Sequence, residues 1–179
     1  MSSVVIAGDT SGTVTLQAPA VSGTTTLTLP ATSGTVMVNG PAFSVYASAN
    51  QSCTATTATK IQLNTKLFDT NTNFDATTNY RFTPTVAGYY QLNGGVAWTN
   101  TVTNNSQVYC MIYKNGSLAF YGNILSGVVV TNLLTTVSGL VYLNGSTDYV
   151  ELYFVTTITQ STISGLGLIY LNGTLARSA

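Results

Sequence analysis

The sequence contains no histidine and very few charged residues: only 6% of its 179 residues are Asp, Glu, Lys or Arg. A typical soluble domain carries about 25% charged residues. Without histidine the chain lacks the commonest general base and the commonest metal ligand. Five basic and five acidic residues give a net charge of zero, whereas binding to nucleic acid or to an anionic membrane surface requires a basic surplus. These absences argue against histidine-based catalysis and against both of those partners.

The few acidic residues do not form a recognisable catalytic or metal-binding pattern. Asp69 and Asp75 lie in a turn-rich segment, where carboxylates commonly cap backbone N–H groups in Asx turns. Asp148 and Glu151 follow an Asn-Gly turn, but their spacing is not that of a calcium loop. A calcium site stays open as the less favoured alternative. We therefore predict that the protein is not an enzyme, with no catalytic residue, no cofactor and no metal ligand.

Cysteine and long apolar runs are also scarce. The two cysteines, Cys53 and Cys110, lack the paired spacing of a zinc site, and we favour free, packed thiols over a disulfide between them. The charge-free stretches 82–113 and 115–147 are broken every few residues by Asn, Gly, Thr or Gln, whereas a membrane-spanning helix needs about 18 apolar residues in a row. The first residues lack the basic flank of a signal peptide. We expect neither membrane insertion nor export by a signal peptide.

Uncharged polar residues take the place of the missing charges: the sequence contains 32 Thr, 16 Ser and 15 Asn. Threonine is β-branched and favours strands, while Asn and Gly favour turns. Apolar residues make up 45% of the chain, which is enough for a core in a domain of this length. The composition predicts an all-β protein.

Residues 10–42 contain three copies of an eleven-residue unit, 10–20, 21–31 and 32–42, in which Ser-Gly-Thr and Pro-Ala recur in phase. Each unit predicts a short strand followed by a turn. Apolar residues that alternate with polar ones give each strand one apolar edge. These residues are Val14, Leu16, Leu27, Leu29, Val36 and Val38.

Two or three apolar side chains per unit cannot offset the ordering cost of eleven residues, which is about 1–2 kcal/mol for each backbone unit. We therefore interpret residues 1–42 as a β-repeat stalk or arm that gains stability from identical neighbours or from a larger body. The alternative is that the units are the first strands of an ordinary meander. Thr28-Leu29-Pro30-Ala31 and Gly34-Thr35-Val36 resemble segments of bacteriophage fibre and virion surface proteins.

Longer strands are predicted after Phe43. In residues 108–113 bulky side chains occupy both faces of the strand, with Val108, Cys110 and Ile112 on one face and Tyr109, Met111 and Tyr113 on the other. An Asn115-Gly116 dipeptide predicts a tight hairpin turn. A last strand is predicted from Leu166 to Leu171, ended by a turn at Asn172-Gly173. Many strands without helical periodicity favour a sandwich or jelly roll.

Seven positions of this region follow the signature of one known family. They are Leu63, Asp69, Phe74, Phe82, Gly88, Tyr90 and Leu92, and the most specific part is Phe-Thr-Pro at 82–84 with Gly-Tyr-Tyr at 88–90. In these positions the chain resembles the globular head of complement-one-q, in the tumour-necrosis-factor superfamily, over about residues 42–172. The resemblance implies that residues 43–179 form an antiparallel jelly-roll knob and that this knob is a homotrimer.

A homotrimer needs an apolar sheet face on each subunit for contact with its neighbours. We predict that this face includes Tyr109, Met111, Tyr113, Tyr149, Tyr153 and Val155. The alternative is that these tyrosines cover an open sheet with their hydroxyls in water. Trp98 with Tyr90 and Phe120 offers a second aromatic group that could stack on sugars, although a lone Trp in such a sheet is more commonly part of the core.

The repeat and the knob together predict a non-enzymatic structural protein of a bacteriophage virion, assembled in the host cytoplasm and displayed on the particle surface. The arm would bind capsid or tail proteins, and the knob would face outward. We favour a head decoration (cement) protein or a short spike. The alternatives are the receptor-binding tip of a tail fibre, whose partner would be a host surface glycan or protein, and a free complement-like trimeric binding or lectin head.

Overall fold

The computed structural model of the chain describes residues 3–8, 10–17, 24, 40–98, 106–126 and 134–179. Contacts divide the chain into two units, residues 1–35 and 36–179. The described residues form β-strands and connecting turns, with no helix among them. The strands are β1 (Ser3–Ala7), β2 (Thr13–Gln17), β3 (Ala42–Tyr46), β4 (Ser52–Cys53), β5 (Thr59–Lys60), β6 (Thr65–Asp69), β7 (Phe74–Asp75), β8 (Arg81–Phe82), β9 (Ala87–Ala97), β10 (Gln107–Lys114), β11 (Ser117–Tyr121), β12 (Leu125–Ser126), β13 (Leu134–Asn144), β14 (Val150–Thr156), β15 (Gln160–Ser161) and β16 (Ile169–Ser178).

The first unit contains an antiparallel hairpin of β1 and β2. Val4 pairs with Leu16 and Ile6 pairs with Val14, so these four aliphatic side chains share one face of the hairpin. Each of them is more than half exposed. A lone two-stranded hairpin is marginally stable at best in water, and this one leaves its apolar face uncovered.

The second unit is built on two large antiparallel sheets. One sheet has seven strands, in the order β11-β10-β14-β8-β7, with β12 beside β10 and β5 beside β14. The other has five strands in the order β13-β9-β16-β3-β6. A short additional pair joins β15 to β4. The inward side chains of both large sheets form one hydrophobic core, which makes the unit a β-sandwich.

Strands β10 and β14 show how the sequence pattern produces the two layers. Val108, Cys110 and Ile112 lie opposite Thr156, Phe154 and Leu152 and all six are fully buried. The alternate residues Tyr109 and Tyr113 point to the outer side of the sheet and remain partly exposed. The predicted division of residues 108–113 between two faces is therefore confirmed.

Two Asn-Gly dipeptides have different roles in the fold. Asn115 and Gly116 both have positive φ, 52° and 75°, as a two-residue hairpin turn of type I′ requires, and they join β10 to β11 as predicted. The predicted turn at Asn172-Gly173 is wrong. Strand β16 continues through it to Ser178, and Gly173 pairs with Leu92 on one side and Phe43 on the other.

The prediction of an all-β antiparallel sandwich is confirmed. Trimerisation, the arm or stalk, and the division into residues 1–42 and 43–179 stay predictions. Of the six predicted arm residues, Val14 and Leu16 lie in β2, whereas Leu27, Leu29, Val36 and Val38 lie outside the described residues.

Candidate interaction surfaces

Five of the seven signature residues belong to the sandwich core and have a structural role. Leu63, Phe82, Tyr90 and Leu92 are fully buried, and Phe74 nearly so. The rings of Phe82 and Phe74, from the seven-stranded sheet, lie 4.1 Å and 5.5 Å from the ring of Phe43, from the five-stranded sheet. These stacked rings connect the two sheets. The Tyr90 hydroxyl donates a hydrogen bond of 2.7 Å to the carbonyl oxygen of Val86, and burial raises the pKa of Tyr90 to about 12.

The other two signature residues hold the backbone near the core. The Asp69 carboxylate accepts hydrogen bonds from the backbone N–H groups of Asn73 and Phe74 at 3.0 Å and 2.9 Å. Burial alone would raise the pKa of Asp69, but the hydrogen bond from Lys66 and those two backbone bonds outweigh it, so the pKa is lowered. Gly88 leaves no room for a side chain, because a Cβ would lie 2.4 Å from the carbonyl oxygen of Arg177.

The residues predicted to form the trimer contact lie together on the outer side of the seven-stranded sheet. Tyr109 pairs with Val155, Met111 with Tyr153, and Tyr149 precedes β14 by one residue. Met111 is only 3% exposed, and the other five are partly buried within the single chain. We call the tyrosine face the outer surface formed by Tyr109, Tyr113, Tyr121, Tyr149 and Tyr153.

The tyrosines of this face are ordered by contacts with each other. Tyr113 and Tyr153 stack with ring centroids 4.1 Å apart, and the rings of Tyr109 and Tyr121 are 5.8 Å apart. Burial, followed by the charge of Glu151, raises the pKa of the Tyr153 hydroxyl. The face therefore presents fixed aromatic rings with polar ends.

The outer side of the five-stranded sheet is a second surface, which the sequence pattern did not predict. Leu140 is 53% exposed and Tyr142 41% exposed on β13, and Tyr142 pairs with the exposed Tyr89 of β9. At the opposite edge of this sheet, Leu67 and Phe68 of β6 are each about half exposed. We call this surface the β13–β6 face. Its signal in the sequence is weak, because the apolar residues of each strand are few and lie among polar neighbours.

Several concavities open on the β13–β6 face. One has a volume of about 590 Å³ and is lined by Tyr89, Leu140, Tyr142 and residues 176–179. A second concavity, of about 270 Å³, is lined in part by Leu67 and Tyr170. A third, of about 250 Å³, is lined in part by Phe68 and Asn93. The surface combines exposed apolar side chains with recesses that a complementary surface could fill.

Three ion pairs join most of the charged groups: Lys60 with Glu151 at 3.0 Å, Lys66 with Asp69 at 2.9 Å and Lys114 with Asp148 at 2.9 Å. The hydrogen bond from Lys114, with one from Asn115, lowers the pKa of Asp148. Hydrogen bonds from the backbone of Thr78 and Thr77 lower the pKa of Asp75. Asp69 and Asp75 are thus engaged within their own strand or loop, whereas Asp148 and Glu151 are engaged by lysines of other strands.

Within the described residues, no three His, Cys, Asp or Glu side chains come close enough to hold a metal ion. No helix of that part of the chain is long and apolar enough to cross a membrane. Cys53 and Cys110 are free and buried, as the sequence analysis favoured, and burial raises the pKa of each thiol to about 11. Thiols with such a pKa are unreactive near neutral pH.

The sugar-stacking group considered from the sequence is wrong. Trp98 and Tyr90 are fully buried, and Phe120 is partly buried against the same core. The ring of Trp98 packs 6.0 Å from that of Phe154. These aromatic residues are part of the core, as the more common role of a lone Trp suggested.

Solved structures of low sequence identity resemble this sandwich. The globular domain of zebrafish complement 1qA protein matches with a TM-score of 0.58 at 16% identity, covering 79% of this chain and 100% of that chain. Murine APRIL at pH 8.5 matches with a TM-score of 0.59 at 11% identity, over 76% of this chain and 99% of that chain. Eiger TNF from S. frugiperda matches with a TM-score of 0.62 at 6% identity, over 78% and 94%.

No protein-family model matches the chain, and no curated protein matches it in sequence. At identities this low, structural similarity establishes the fold and not the activity. The resemblance read from the signature residues is thus confirmed for the fold. The chain contains an antiparallel β-sandwich domain that resembles the jelly rolls of complement-one-q and tumour necrosis factor.

Proposed function

We propose that this protein is a non-enzymatic structural component of a bacteriophage particle, a homotrimeric knob attached to the particle surface by its N-terminal arm. A head decoration protein or a short spike is the role that we favour. The observation that carries the proposal is the β13–β6 face, where apolar side chains of one chain remain uncovered.

Self-association explains that uncovered surface. Leu140, Tyr142 and Tyr89 lie at one edge of the sheet, and Leu67 and Phe68 lie at the other. In a ring of three subunits each chain offers two different patches, one to each neighbour, and two apolar patches at opposite edges suit that arrangement. Domains of this fold usually form trimers, which supports the same conclusion.

The two sheet faces differ in how much apolar surface they leave for a partner. On the tyrosine face, Tyr121 is exposed but the aliphatic side chain of Met111 is almost fully covered within one chain. On the β13–β6 face, Leu140 remains 53% exposed. We therefore assign the trimer contact to the β13–β6 face rather than to the tyrosine face, which the sequence analysis had favoured.

The hairpin of β1 and β2 supports an attachment role for the N-terminal segment. Its face of Val4, Ile6, Val14 and Leu16 is uncovered, and burial of such a side chain contributes about 1.5–3 kcal/mol. Packing against identical hairpins or against a capsid or tail protein would stabilise the hairpin. The resemblance of residues 28–36 to phage fibre and virion surface segments points to a phage particle.

The absence of an enzymatic role rests on the engaged carboxylates. Asp69, Asp148 and Glu151 form ion pairs, and Asp75 accepts hydrogen bonds from its own loop. A general base must be within hydrogen-bond reach of a substrate, and these groups are occupied by structural donors. Domains of this fold are typically non-enzymatic binding domains.

The trimer is tested with one matched pair of variants. Tyr142 of the β13–β6 face is 41% exposed and Tyr121 of the tyrosine face is 61% exposed, so Tyr142→Asp and Tyr121→Asp introduce the same change on opposite sheets. A carboxylate without a partner is costly to bury in an interface. We expect wild type and Tyr121→Asp to sediment at three times the chain mass of 18.7 kDa, and Tyr142→Asp to sediment as a folded monomer.

A monomeric wild type at micromolar concentration would contradict the trimer. If only Tyr121→Asp dissociates, the contact lies on the tyrosine face and our assignment is wrong. Circular dichroism of each variant separates dissociation from unfolding.

The particle role is tested by immunogold labelling of intact phage particles that contain the protein. Label over the head supports a decoration protein, and label at the tail alone supports the alternative, a receptor-binding fibre tip. Absence of label from purified particles, with the protein recovered only in the soluble fraction, overturns the virion role and favours a free binding head.

A further inference from the structure

The tyrosine face contains a cation, Arg81, and the two carboxylates near it, those of Asp75 and Glu151, are bound by other groups. Asp75 is the cross-strand partner of Arg81, but its carboxylate accepts hydrogen bonds from Thr77, Thr78 and Asn79. Glu151 is also close, because it follows Val150, which pairs with Phe82. The Glu151 carboxylate is bound by Lys60 at 3.0 Å.

Arg81 therefore has no salt-bridge partner within the described part of the chain. All five basic residues belong to that part, and only Arg81 and Arg177 lack a carboxylate oxygen within 4.0 Å. The guanidinium carbon of Arg81 lies 4.2 Å from the centre of the Tyr149 ring. This cation–π contact restricts the position of the guanidinium.

A guanidinium has five N–H donors, and those of Arg81 have no carboxylate acceptor among the described residues. Those donors match the two oxygens of a carboxylate in a bidentate pair. Because the stacking has already restricted the side chain, less conformational entropy is lost when a carboxylate binds. The surroundings of Arg81 thus form a binding position for one carboxylate.

The tyrosines of this face indicate the chemistry of the rest of the ligand. Tyr149 and Tyr153 lie on the same side of the sheet four residues apart, which corresponds to roughly 13 Å along the strand. Beyond Tyr153 the face continues to the ring pair of Tyr109 and Tyr121. Tyrosine combines an apolar ring face with a hydroxyl that forms hydrogen bonds, and a sugar ring has the matching alternation of C–H faces and hydroxyl edges.

The charge of the face excludes heavily charged polymers. Phosphate or sulfate polymers bind through many cations at once, and each contact adds to the affinity. Among the described residues, Arg81 is the cation of this face without a carboxylate partner, and Lys60 is neutralised by Glu151. A ligand with one carboxylate among uncharged groups is the better match.

We propose that the tyrosine face binds a saccharide that contains an acidic sugar. Arg81 holds the sugar carboxylate, and the rings of Tyr153, Tyr113 and their neighbours stack against the adjoining neutral sugars. This inference rests on the proposed function, because the trimer contact on the β13–β6 face leaves the tyrosine face exposed. Saccharide binding by the tyrosine face gives the outward-facing knob a surface for host recognition.

The test measures binding of defined oligosaccharides to the full-length protein by NMR titration. The probes are 3′-sialyllactose, a glucuronic-acid disaccharide, lactose and the methyl ester of sialyllactose. We expect at least one acidic probe to bind in the millimolar range or tighter, and lactose and the methyl ester to bind at least tenfold more weakly. Sedimentation of the same samples reports the oligomeric state separately.

Two arginine variants provide the matched comparison. Arg81→Gln removes the carboxylate-binding donors, and Arg81→Lys keeps the charge without the bidentate edge. We expect both variants to lose at least tenfold in affinity for the acidic probe. Arg177→Gln removes the other unpaired cation, which lies on the opposite sheet, and we expect its affinity to equal that of wild type.

Failure of every acidic probe to bind wild type overturns the proposal, as does an equal loss in Arg177→Gln. An acidic peptide that binds more tightly than the saccharides, with the same dependence on Arg81, would identify a protein-docking surface instead and would also overturn it. Binding by a monomeric wild type would support the saccharide site while contradicting the trimer, so the two proposals fail independently.

Discussion

Replacing Gly173 by alanine tests whether the sandwich is packed as described. Gly173 lies in the middle of β16 and faces the core between Leu92 and Phe43. A Cβ at this position would lie 2.6 Å from Leu92 Cδ2 and 2.9 Å from Phe43 Cε1. Phe43 has little freedom to move, because its ring stacks 4.1 Å from that of Phe82.

The expected cost follows from two opposing effects. Overpacking a well-filled core costs typically about 1–3 kcal/mol, whereas replacing glycine by alanine restricts the unfolded chain and stabilises by about 0.4–1 kcal/mol. We expect Gly173→Ala to lower the free energy of unfolding by about 1–2 kcal/mol. For a domain of this size each kcal/mol shifts Tm by about 2–4 °C, so calorimetry at fixed protein concentration should record a decrease of about 2–8 °C.

A double-mutant cycle with Leu92→Ala identifies the contact. Leu92→Ala alone creates a cavity and should cost about 2–5 kcal/mol. In the double variant the new methyl group enters the space that Leu92 vacated, so the combined cost should fall short of the sum by about 1 kcal/mol or more. An additive cycle, or a Gly173→Ala variant as stable as wild type, would refute the close approach of β16 to these side chains.

Three further predictions concern buried polar groups. Tyr90→Phe leaves the partly buried Val86 carbonyl without its donor and should cost about 0.5–1.5 kcal/mol in urea unfolding; no change would contradict that hydrogen bond. The lowered pKa of Asp69 stabilises the fold above the unfolded pKa of about 3.9 and ceases to do so as pH falls below it. The stability difference between wild type and Asp69→Asn should therefore be constant between pH 5 and 8 and shrink below about pH 4, and a constant difference down to pH 2 would refute this reasoning. Cys53 and Cys110 should react with a thiol reagent at pH 8 only after unfolding, and rapid labelling of the native protein would show that burial does not protect them.

Local chemistry explains the parts of the fold that the sequence predicted. The alternation in residues 108–113 separates core from surface because successive side chains of a strand point to opposite faces. The turn at Asn115-Gly116 was predictable because both positions require positive φ, and both have it. Signature residues such as Phe82 and Tyr90 were recognisable because bulky aromatic residues fill the centre of the core.

The failed prediction at Asn172-Gly173 and the rejected alternative for Trp98 both involve residues whose role depends on distant partners. An Asn-Gly dipeptide occurs both in turns and in strands. At position 173, only the approach of Leu92 and Phe43 from neighbouring strands makes glycine necessary. For Trp98 the sequence favoured a place in the core over sugar stacking, and only the packing against Phe154 of the other sheet decides between them. In both cases the deciding contact comes from residues far away in the chain.

The candidate surfaces also have features that follow from local sequence and features that depend on distant contacts. The sequence indicated a tyrosine-rich outer face, because Tyr109 and Tyr113 alternate with core residues within one strand. It could not reveal that Arg81 lacks a carboxylate partner among the described residues, because this depends on Asp75 and Glu151 being bound by other groups.

By itself, the sequence determined an all-β chain with few charges, an N-terminal repeat and strands of two distinct faces, because composition and periodicity act locally. The tertiary structure alone decided which outer face keeps its apolar side chains uncovered. Leu67 and Leu140 belong to one surface because hydrogen bonding between strands places β6 and β13 at the two edges of a single sheet.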